Sequence, residues 1–419
     1  MLSGELYNVL ATGETVTVSP TESTLFPATG LYDGSPDSAF QFSAAASEFT
    51  ITADGNRLRN GVLDAWSGAI PDSWGTAGTV AQTTVAGEMR SGSAARLNGG
   101  ASIYQDFVVK SGERIVINGW RRILAAGQGF MSASLQDLTT GYYWTGFGDT
   151  WTAIVANFLS DNTNTAYTEY TATPFTVLPF SFALGDKCTL RLTLRNEDAT
   201  ETDYVYVDDW FVWPAVDFVS VHGHNIRPDA TARLYSSPDN FATSSSGSTF
   251  SQATLSMTHP AFYGTLSSAI DHRYWQIRIT HSASTPTETV WIGEVVIGLA
   301  TTLTRPQDLG QELRIVADNV RASTPYGNTR VHRVGQRARR ILGMSFNYFT
   351  SSEYEQARQE VFERSFGSAF PIVIVPDDTG PVVIHGRIDD QWAVRQSLGT
   401  HFTDNDLVVI EDGFPTWVE

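Results

Sequence analysis

Hydrophobic and polar residues alternate with a period of two in many short segments along the chain. One group of alternating segments lies at 15–18, 49–53, 218–222, 232–235, 274–280 and 290–297. A second group lies between them, at 102–108, 115–120, 131–136, 188–195 and 203–212. Turn-forming Pro, Gly, Asp and Ser residues separate the segments. The pattern therefore predicts half-buried antiparallel strands and a mainly β fold.

One segment near the C-terminus, 353–366, has the period of a helix instead. Its apolar side consists of Tyr354, Ala357, Val361 and Phe362. Thr350 and Ser352 each precede a glutamate by three residues, which fits a capping box, and Gly367 fits the position after the last turn. Strands are predicted on both sides of it, at 342–349, 371–375, 382–387 and 407–411. We expect a small C-terminal α+β domain in which one helix packs on an antiparallel sheet.

The boundaries of the central group of strands indicate an inserted domain. The strand at 49–54 leads at once into the segment that begins at Asn60, and another strand begins directly after Trp213-Pro214. No Gly/Ser-rich linker separates either pair, and the two ends of a domain usually lie close together. We therefore predict four regions: a host domain of 1–56 and 217–300, an inserted domain of 57–214, an Arg-rich connecting arm of 301–340 and an α+β domain of 341–419.

Composition and charge limit the kinds of partner that this 419-residue chain can bind. Charged residues make up 17% of it and aromatic residues 12%, which suits short strands better than long surface helices. The net charge of −18 argues against nucleic acid and against an anionic membrane surface. Cys188 is the single cysteine, so an internal disulfide is excluded. The start of the chain lacks the pattern of a signal peptide, and no run of about 18 apolar residues predicts membrane insertion. We expect synthesis in a cytoplasm.

Motifs of catalysis are missing from the sequence. It contains no G-x-S-x-G elbow, no P-loop and no H-E-x-x-H pair, and its eight histidines are scattered. Nothing singles out a working pair among the 45 acidic residues. We therefore expect a protein that binds and assembles, with no catalytic residues and no cofactor beyond a structural calcium ion considered below.

Four patches of the inserted region carry a resemblance to a known family. They are Asn-Gly-Val-Leu-Asp-Ala-Trp at 60–66, Ile-Pro-Asp-Ser-Trp at 70–74, the segment 91–97 and the closing strand at 205–212. In this order and spacing they resemble carbohydrate-binding-module jelly rolls of the galactose-binding-like superfamily. The resemblance implies a jelly-roll fold for about a third of the chain and makes a glycan ligand an expectation.

The host region resembles the discoidin-like jelly rolls of tailed-phage virion proteins. The matching residues are those at 31–34, the phrase Val-Ser-Val-His-Gly-His-Asn-Ile at 219–226, Arg-Tyr-Trp at 273–275 and the segment 291–295. The C-terminal region looks like the end of the same phage proteins. The resemblance implies two nested antiparallel jelly-roll β-sandwiches, followed by the α+β domain, in a minor tail protein. It places the chain in the tail or adsorption apparatus of a virion made in the host cytoplasm.

Aromatic residues are dense in the inserted region. Tyr142, Tyr143 and Trp144 follow Thr-Thr-Gly and precede a Gly-rich turn, with Trp151 close behind. Sugar-binding modules stack aromatic rings on pyranose faces, so these four residues are the predicted glycan site. The alternative is burial in a core, which the strand patterns around Trp66 and Trp120 favour.

Two further groups of residues suggest binding. The resemblance to carbohydrate-binding modules implies a structural calcium ion, for which Asn60, Asp64 and Asp209 are the candidate ligands, although Asp64 stands where the family usually has Glu. Paired acids such as Asp208-Asp209 also serve turns and caps. The histidines of His222-Gly-His224 point to one side of a strand, yet packing explains them better than a metal does.

The Arg-rich arm reverses the charge of the chain locally. Its arginines are 305, 314, 321, 330, 333, 337, 339 and 340, against three acids. The candidate assembly residues are Arg330, Arg333, Arg337, Arg339 and Arg340. They form either a solvated face or, since Arg is favoured at interfaces, a docking element for an acidic neighbour such as another copy.

Three functional hypotheses follow in order. The first is a tail or virion structural protein that contacts other tail proteins and copies of itself and displays a jelly roll toward host-surface polysaccharide. The second is a freestanding bacterial glycan-binding protein. The third, a glycan-degrading enzyme, ranks lowest because the region after residue 304 is too small for a catalytic domain.

Overall fold

The structure, a computed structural model, covers most of the predicted strands. It describes residues 2–4, 15–22, 27–31, 40–110, 113–146, 149–172, 175–177, 187–227, 229–237, 241, 251–255, 261–270, 272–281, 289–300, 302, 312–316, 319–323, 329–333, 339–345, 350–358, 361, 371–376, 382–389, 394–398, 401–404 and 407–411. The chain divides into two compact units. We call Gly55–Ala215 the inserted unit, and Met1–Asp54 with Val216–Glu419 the host unit.

The strands follow one another closely along the chain, and the predicted mainly β fold is confirmed. The first four are β1 (Leu2–Gly4), β2 (Thr15–Ser19), β3 (Phe40–Gln41) and β4 (Glu48–Asp54), with a 3-10 turn at Ala28–Leu31. The inserted unit contains β5 (Trp66–Ser67), β6 (Ile70–Pro71), β7 (Gly75–Ala77), β8 (Val80–Thr83), β9 (Ala94–Leu97), β10 (Ser102–Lys110), β11 (Arg114–Ile123), β12 (Met131–Asp137), β13 (Tyr143–Trp144), β14 (Trp151–Thr152), β15 (Leu159–Asp161), β16 (Thr168–Thr171), β17 (Phe175–Thr176), β18 (Lys187–Asn196) and β19 (Val205–Pro214).

The rest of the host unit adds fifteen strands and one α-helix among the described residues. The strands are β20 (Val216–His224), β21 (Ala230–Ser237), β22 (Ser251–Leu255), β23 (Ala261–Ile270), β24 (Tyr274–His281), β25 (Trp291–Gly298), β26 (Glu312–Val316), β27 (Asn319–Ser323), β28 (Thr329–Arg333), β29 (Arg339–Met344), β30 (Ile372–Ile374), β31 (Ile384–Ile388), β32 (Val394–Leu398), β33 (His401–Asp404) and β34 (Leu407–Glu411). The helix is α1 (Ser351–Ala357). None of the helices in the described part is long and apolar enough to cross a membrane.

The inserted unit is a sandwich of two antiparallel sheets. One has the order β14-β13-β12-β18-β10-β7 with β15 beside β12, and the other has the order β16-β11-β19-β9-β8 with β17 beside β11. Their inner faces enclose one apolar core. The indole of Trp210 lies in this core directly against Gly119, where any Cβ would overlap the ring. The bulge at Asn118–Trp120 therefore needs glycine at its centre.

The two ends of the inserted unit are bonded to each other. The backbone N–H of Arg57 donates to the carbonyl of Val212 over 2.8 Å, and Val212 N–H donates to the Asn56 side chain over 3.0 Å. Arg57 and Glu113 form an ion pair with both side chains nearly inaccessible to water. A polar clamp thus holds the beginning and the end of the unit together.

The host unit contains a second sandwich, of the sheets β2-β4-β24-β21-β22 and β23-β20-β25-β3. A third sheet, β1-β30-β31-β34-β29-β26, packs on this sandwich through Phe218, Val296, Val373, Val375 and Val383. The predicted separate domain of 341–419 is therefore part of one compact unit with the host sandwich. The prediction that residues 1–56 belong wholly to the host sandwich is corrected as well, since β1 pairs with β30 in the third sheet.

Strand β20 is buried on both of its faces, a feature that its alternating sequence does not reveal. In β20, Val219 and Val221 face the core of the sandwich, whereas Phe218 faces the third sheet. His222 is fully buried on the latter side, 5.1 Å from the His385 ring between centroids, with Nε2 2.9 Å from Ser220 Oγ. Burial lowers the pKa of His222 well below its usual value, so this histidine packs as a neutral ring.

The helix begins where the capping box predicts. Thr350 Oγ1 accepts from the backbone of Glu353, whose carboxylate accepts in return from the Thr350 N–H over 2.8 Å. The α-helical part is Ser351–Ala357, and Arg358 and Val361 continue it as a wider helical turn. Residues 359–360 and 362–370, where the predicted helix ends, lie outside the described part.

Candidate functional site

The outer face of the seven-stranded sheet gathers the side chains best suited to bind a ligand. Strands β10 and β18 alternate, so Phe107, Leu190 and Leu192 point into the core. Their neighbours point outward, and directly opposed residues share a face. One row across the sheet runs Asp106, Arg191, Gln136, Tyr143 and Thr152. We call Tyr104, Asp106, Gln136, Tyr143 and Arg191 the tyrosine face.

Arg191 is held at the centre of the tyrosine face. Its Nε donates to Asp106 Oδ1 over 2.6 Å and its Nη2 to Oδ2 over 2.8 Å. The guanidinium carbon lies 4.5 Å from the centroid of the Tyr104 ring. The hydrogen bonds to Asp106 raise the pKa of Arg191, and Tyr143 is near enough to contribute. The charges of Arg191 and Asp106 cancel, and the two parallel hydrogen bonds fix the orientation of the guanidinium group.

The Tyr104 ring occupies the space that a side chain would fill on the neighbouring strand. It is opposite Gly75 of β7, and a Cβ at Gly75 would overlap the phenol ring. The ring is half-buried between this glycine and the Arg191 guanidinium. A side chain at position 75 would lift the ring off the sheet, so glycine here keeps one aromatic surface in place.

The chemistry of the tyrosine face suits a sugar. Two tyrosine rings supply apolar surface with a polar edge, while Arg191, Asp106 and Gln136 supply donors and acceptors between them. Pockets that orient polar ligands combine these elements. The exposed side chains of Val108 and Leu138 border the same face and add apolar surface.

The predicted glycan residues separate into two groups. Tyr143 lies on the tyrosine face, and Tyr142 is half-buried against the core. Trp144 and Trp151 are corrected to core residues, with 1% and 8% of their surface exposed. Trp144 stacks on Phe175 at 3.7 Å between centroids. Since Tyr143 and Trp144 are adjacent in a strand, only one of them can face outward.

The predicted calcium ligands are engaged in other bonds. The Asn60 amide bonds to the Ala65 and Asp72 carbonyls in a left-handed turn, and Asp64 Oδ1 accepts from Ser93 N–H over 2.7 Å. Asp209 forms an ion pair with Arg90. The described residues contain no group of three His, Cys, Asp or Glu side chains placed to hold a metal. Each predicted ligand thus already has a partner within the protein, and the calcium site stays a prediction.

Asp208, next to this cluster, is the more unusual acid. It is wholly buried, and only its Oδ2 is bonded, to the N–H groups of Arg90 and Ser91 over 2.8 and 3.2 Å. Within the described residues Oδ1 has no hydrogen-bond partner. Burial, with the neighbouring Asp209 carboxylate, raises the pKa of Asp208 to about 7.

Replacing Asp208 with Asn should stabilise the inserted unit wherever the pH lies well above 3.8. The folded state keeps the Asp208 proton up to about pH 7, whereas an ordinary aspartate loses it near 3.8. The stability from this group is therefore present below pH 3.8 and lost as pH rises through 7. One pKa unit is about 1.4 kcal/mol, so we expect Asp208→Asn to gain about 1–3 kcal/mol over the wild type between about pH 5 and pH 8. Hydrogen-exchange mass spectrometry of peptides from β18 and β19 measures the difference, and parallel pH profiles would contradict it.

Four of the five assembly residues of the predicted arm lie on strands. The region 301–340, predicted as a connecting arm, contains β26, β27, β28 and the start of β29. Arg340 is bonded to Glu411 of β34, with the Arg340 N–H 3.0 Å and its Nε 2.8 Å from the carboxylate, so it stabilises the sheet instead of docking. Arg330 and Arg333 lie on β28 and Arg339 on β29, whereas Arg337 lies outside the described residues.

Sequence reasoning missed Tyr104, Asp106 and Arg191. Each occupies a polar or aromatic position of an alternating strand, which is the signal for an outward-facing side chain. What places them side by side is the register of β10 against β18, which pairs residues 85 positions apart.

Comparisons with known proteins give partial structural similarities. No protein-family model matches the chain, and no curated protein matches it. A structure of TmCBM61 in complex with beta-1,4-galactotriose is similar at 13% identity and TM-score 0.25, over 38% of this chain and 98% of that one. The CBM22-1 xylan-binding domain of Paenibacillus barcinonensis Xyn10C matches at 13% identity and TM-score 0.25, over 35% and 88%. An enzymatically active domain of bacteriophage CBA120 tailspike protein 4 matches at the same identity and TM-score, over 38% of this chain and 21% of that one. Similarities of this size assign no family to the chain.

Proposed function

We propose that this chain is a binding and structural component of a tailed-phage virion, whose inserted unit holds host-surface glycan on the tyrosine face. The observation that supports glycan binding is the fixed Tyr104–Arg191–Asp106 group in one row with Gln136 and Tyr143. The tail assignment is supported by the resemblance of the host and C-terminal regions to phage tail proteins. We assign the contacts with other tail proteins and with further copies to the C-terminal region. The role proposed is binding, not catalysis.

A glycan array with the full chain tests the binding role. We expect a polysaccharide ligand whose affinity falls about tenfold or more, or about 1.4 kcal/mol, in Tyr143→Ala and in Tyr104→Ala, because each removes a ring from the face. Tyr204→Ala is the matched control, since Tyr204 lies beside Arg96 away from this face. Titration calorimetry with the array ligand gives the affinities. A wild type that binds nothing on the array, or face variants that bind as the wild type does, would remove the glycan from the proposal.

The freestanding bacterial glycan-binding protein is the second candidate, and it uses the same tyrosine face. Particle imaging separates the two roles. An antibody against this chain should label the tails of purified phage particles if the first proposal holds. A chain that binds glycan and is never found on particles would favour the second.

A further inference from the structure

Three residues form an apolar strip beside the polar row of the tyrosine face. They are Val108 on β10, Thr189 on β18 and Leu138 directly after β12. Val108 lies opposite Thr189, and the Leu138 N–H donates to the Thr189 carbonyl over 2.9 Å, so the three residues are neighbours across the sheet. Val108 is 52% exposed and Leu138 is 38% exposed, and Thr189 between them is partly exposed. The apolar strip is therefore open to solvent along its length.

The apolar strip faces the same way as the tyrosine face. The residues on either side of Thr189 are Cys188 and Leu190, which both belong to the core, so Thr189 points outward. Val108 points outward for the same reason, since both of its neighbours along β10 are core residues. A ligand on the tyrosine face thus has the apolar strip along one of its sides.

The apolar strip follows the polar row at a constant distance. Each of its members lies two residues along its own strand from a member of that row, namely Asp106, Arg191 and Gln136. Two residues of a strand span about 7 Å. A sugar ring that bonds to the polar row has one edge toward the apolar strip, and a substituent of a few atoms on that edge reaches the strip.

The chemistry of the apolar strip matches one kind of substituent. The Thr189 hydroxyl can donate a hydrogen bond, and it lies between two apolar side chains. An acetyl group has a carbonyl oxygen that accepts such a bond and a methyl group that packs on apolar surface. A bare sugar hydroxyl placed against Val108 or Leu138 would instead lose bonds to water. None of the three residues is charged, so a carboxylate or phosphate finds no counter-charge in the apolar strip.

We propose that the tyrosine face recognises an acetylated glycan, with an acetyl methyl group on Val108 and Leu138 and the acetyl carbonyl bonded to the Thr189 hydroxyl. Covering two exposed apolar side chains with a methyl group releases the water around them and favours binding. The acetyl group belongs to an O-acetyl ester or to an N-acetyl amide, since both present the same methyl and carbonyl. This inference rests on the proposed glycan binding and deepens it by naming the class of glycan.

Paired glycans that differ only in their acetyl groups test the inference with the full chain. One arm uses O-acetylated bacterial polysaccharides before and after mild alkali, which hydrolyses the esters and leaves the sugar chain intact. The other arm compares N-acetylchitotetraose with cellotetraose, which differ in the N-acetyl groups at the second carbon of each sugar. We expect the acetylated member of a pair in at least one arm to bind about tenfold more tightly in titration calorimetry, the effect of burying one methyl group and making one hydrogen bond.

The ratio of the two affinities within a pair isolates the apolar strip. The double change Val108→Ser with Leu138→Ser should reduce this ratio from about ten to about two or less, because it removes the apolar surface. Thr189→Val keeps the shape and removes the hydroxyl, and should reduce the ratio about threefold. Tyr143→Ala should weaken both members of the pair and keep the ratio. Val85→Ser is the matched control, since Val85 is 58% exposed just after β8 of the other sheet. Circular dichroism checks that every variant is folded.

The outcomes separate this inference from the proposed function. Equal affinity for both members of every pair would overturn acetyl recognition and leave glycan binding standing. A preference for acetylated glycan that survives the double change at Val108 and Leu138 would also overturn it. A wild type that binds no member of any pair would remove glycan binding and acetyl recognition together. A preference seen in one arm alone supports the inference and identifies the linkage, an ester in the first arm and an amide in the second.

Discussion

Replacing Trp144 with Ala is expected to destabilise the inserted unit by about 3–5 kcal/mol. Its indole is 1% exposed and stacked on Phe175, so the change opens a cavity between the two sheets that the surrounding side chains cannot fill. The inserted unit should lose amide protection in β10, β12 and β18, as measured by hydrogen-exchange mass spectrometry of the full chain. Glycan binding would fall too, as a consequence of unfolding.

The adjacent residue is the matched control for Trp144. Tyr143→Ala removes an aromatic ring of similar size from the outer side of the same strand, and should change the unfolding free energy by less than about 1 kcal/mol. Comparable destabilisation by the two changes would show that both rings pack in the core. If Trp144→Ala were as stable as the wild type, Trp144 would be a surface residue and would again be a candidate for the glycan site.

Replacing Glu113 with Gln is expected to cost the inserted unit about 3–5 kcal/mol, because it leaves the guanidinium of Arg57 buried without its counter-charge. The two side chains are 1% and 3% exposed. Arg57 also donates to the Val108 carbonyl over 3.0 Å, so its charge cannot swing out to water without breaking the clamp at the start of the unit. Urea unfolding with hydrogen-exchange readout gives the loss.

Two further variants separate the charge from the volume. The double change Arg57→Met with Glu113→Leu removes both charges and should recover much of the loss, since apolar residues of similar size replace buried ion pairs well. Glu197→Gln breaks the exposed pair with Arg195 and should cost under about 1 kcal/mol. A loss in Glu113→Gln no larger than in Glu197→Gln would refute the role of the buried pair.

The strands were predictable because each carries its own alternation, and the helix start because Thr350 and Glu353 form a local pair. The association of the third sheet with the host sandwich was not. In β20, the period-two pattern is the same whether Phe218 and His222 face water or a second apolar layer. Only the presence of Val373 and Val383 on strands far along the chain decides it.

The binding residues were predictable in kind and not in position. The run Tyr142-Tyr143-Trp144 predicts an aromatic binding surface, but adjacent residues of a strand point to opposite faces of the sheet. Which one faces outward depends on the register of β12 against β13, where Gln136 lies opposite Tyr143. Arg191 and Asp106 required a pairing across 85 residues. The Arg-rich stretch, by contrast, was visible from the residue count alone.

The bond between Arg57 and Val212 has a consequence for evolution and engineering. Because the inserted unit closes its own ends, the chain passes between the two units at two short peptide joins, 54–55 and 215–216. Genetic exchange at these joins would replace the entire sandwich as a cassette and leave β4 and β20 intact. A lineage could thereby change the surface it recognises by recombination while keeping one inherited scaffold, and an engineer could graft a different recognition module at the same two positions.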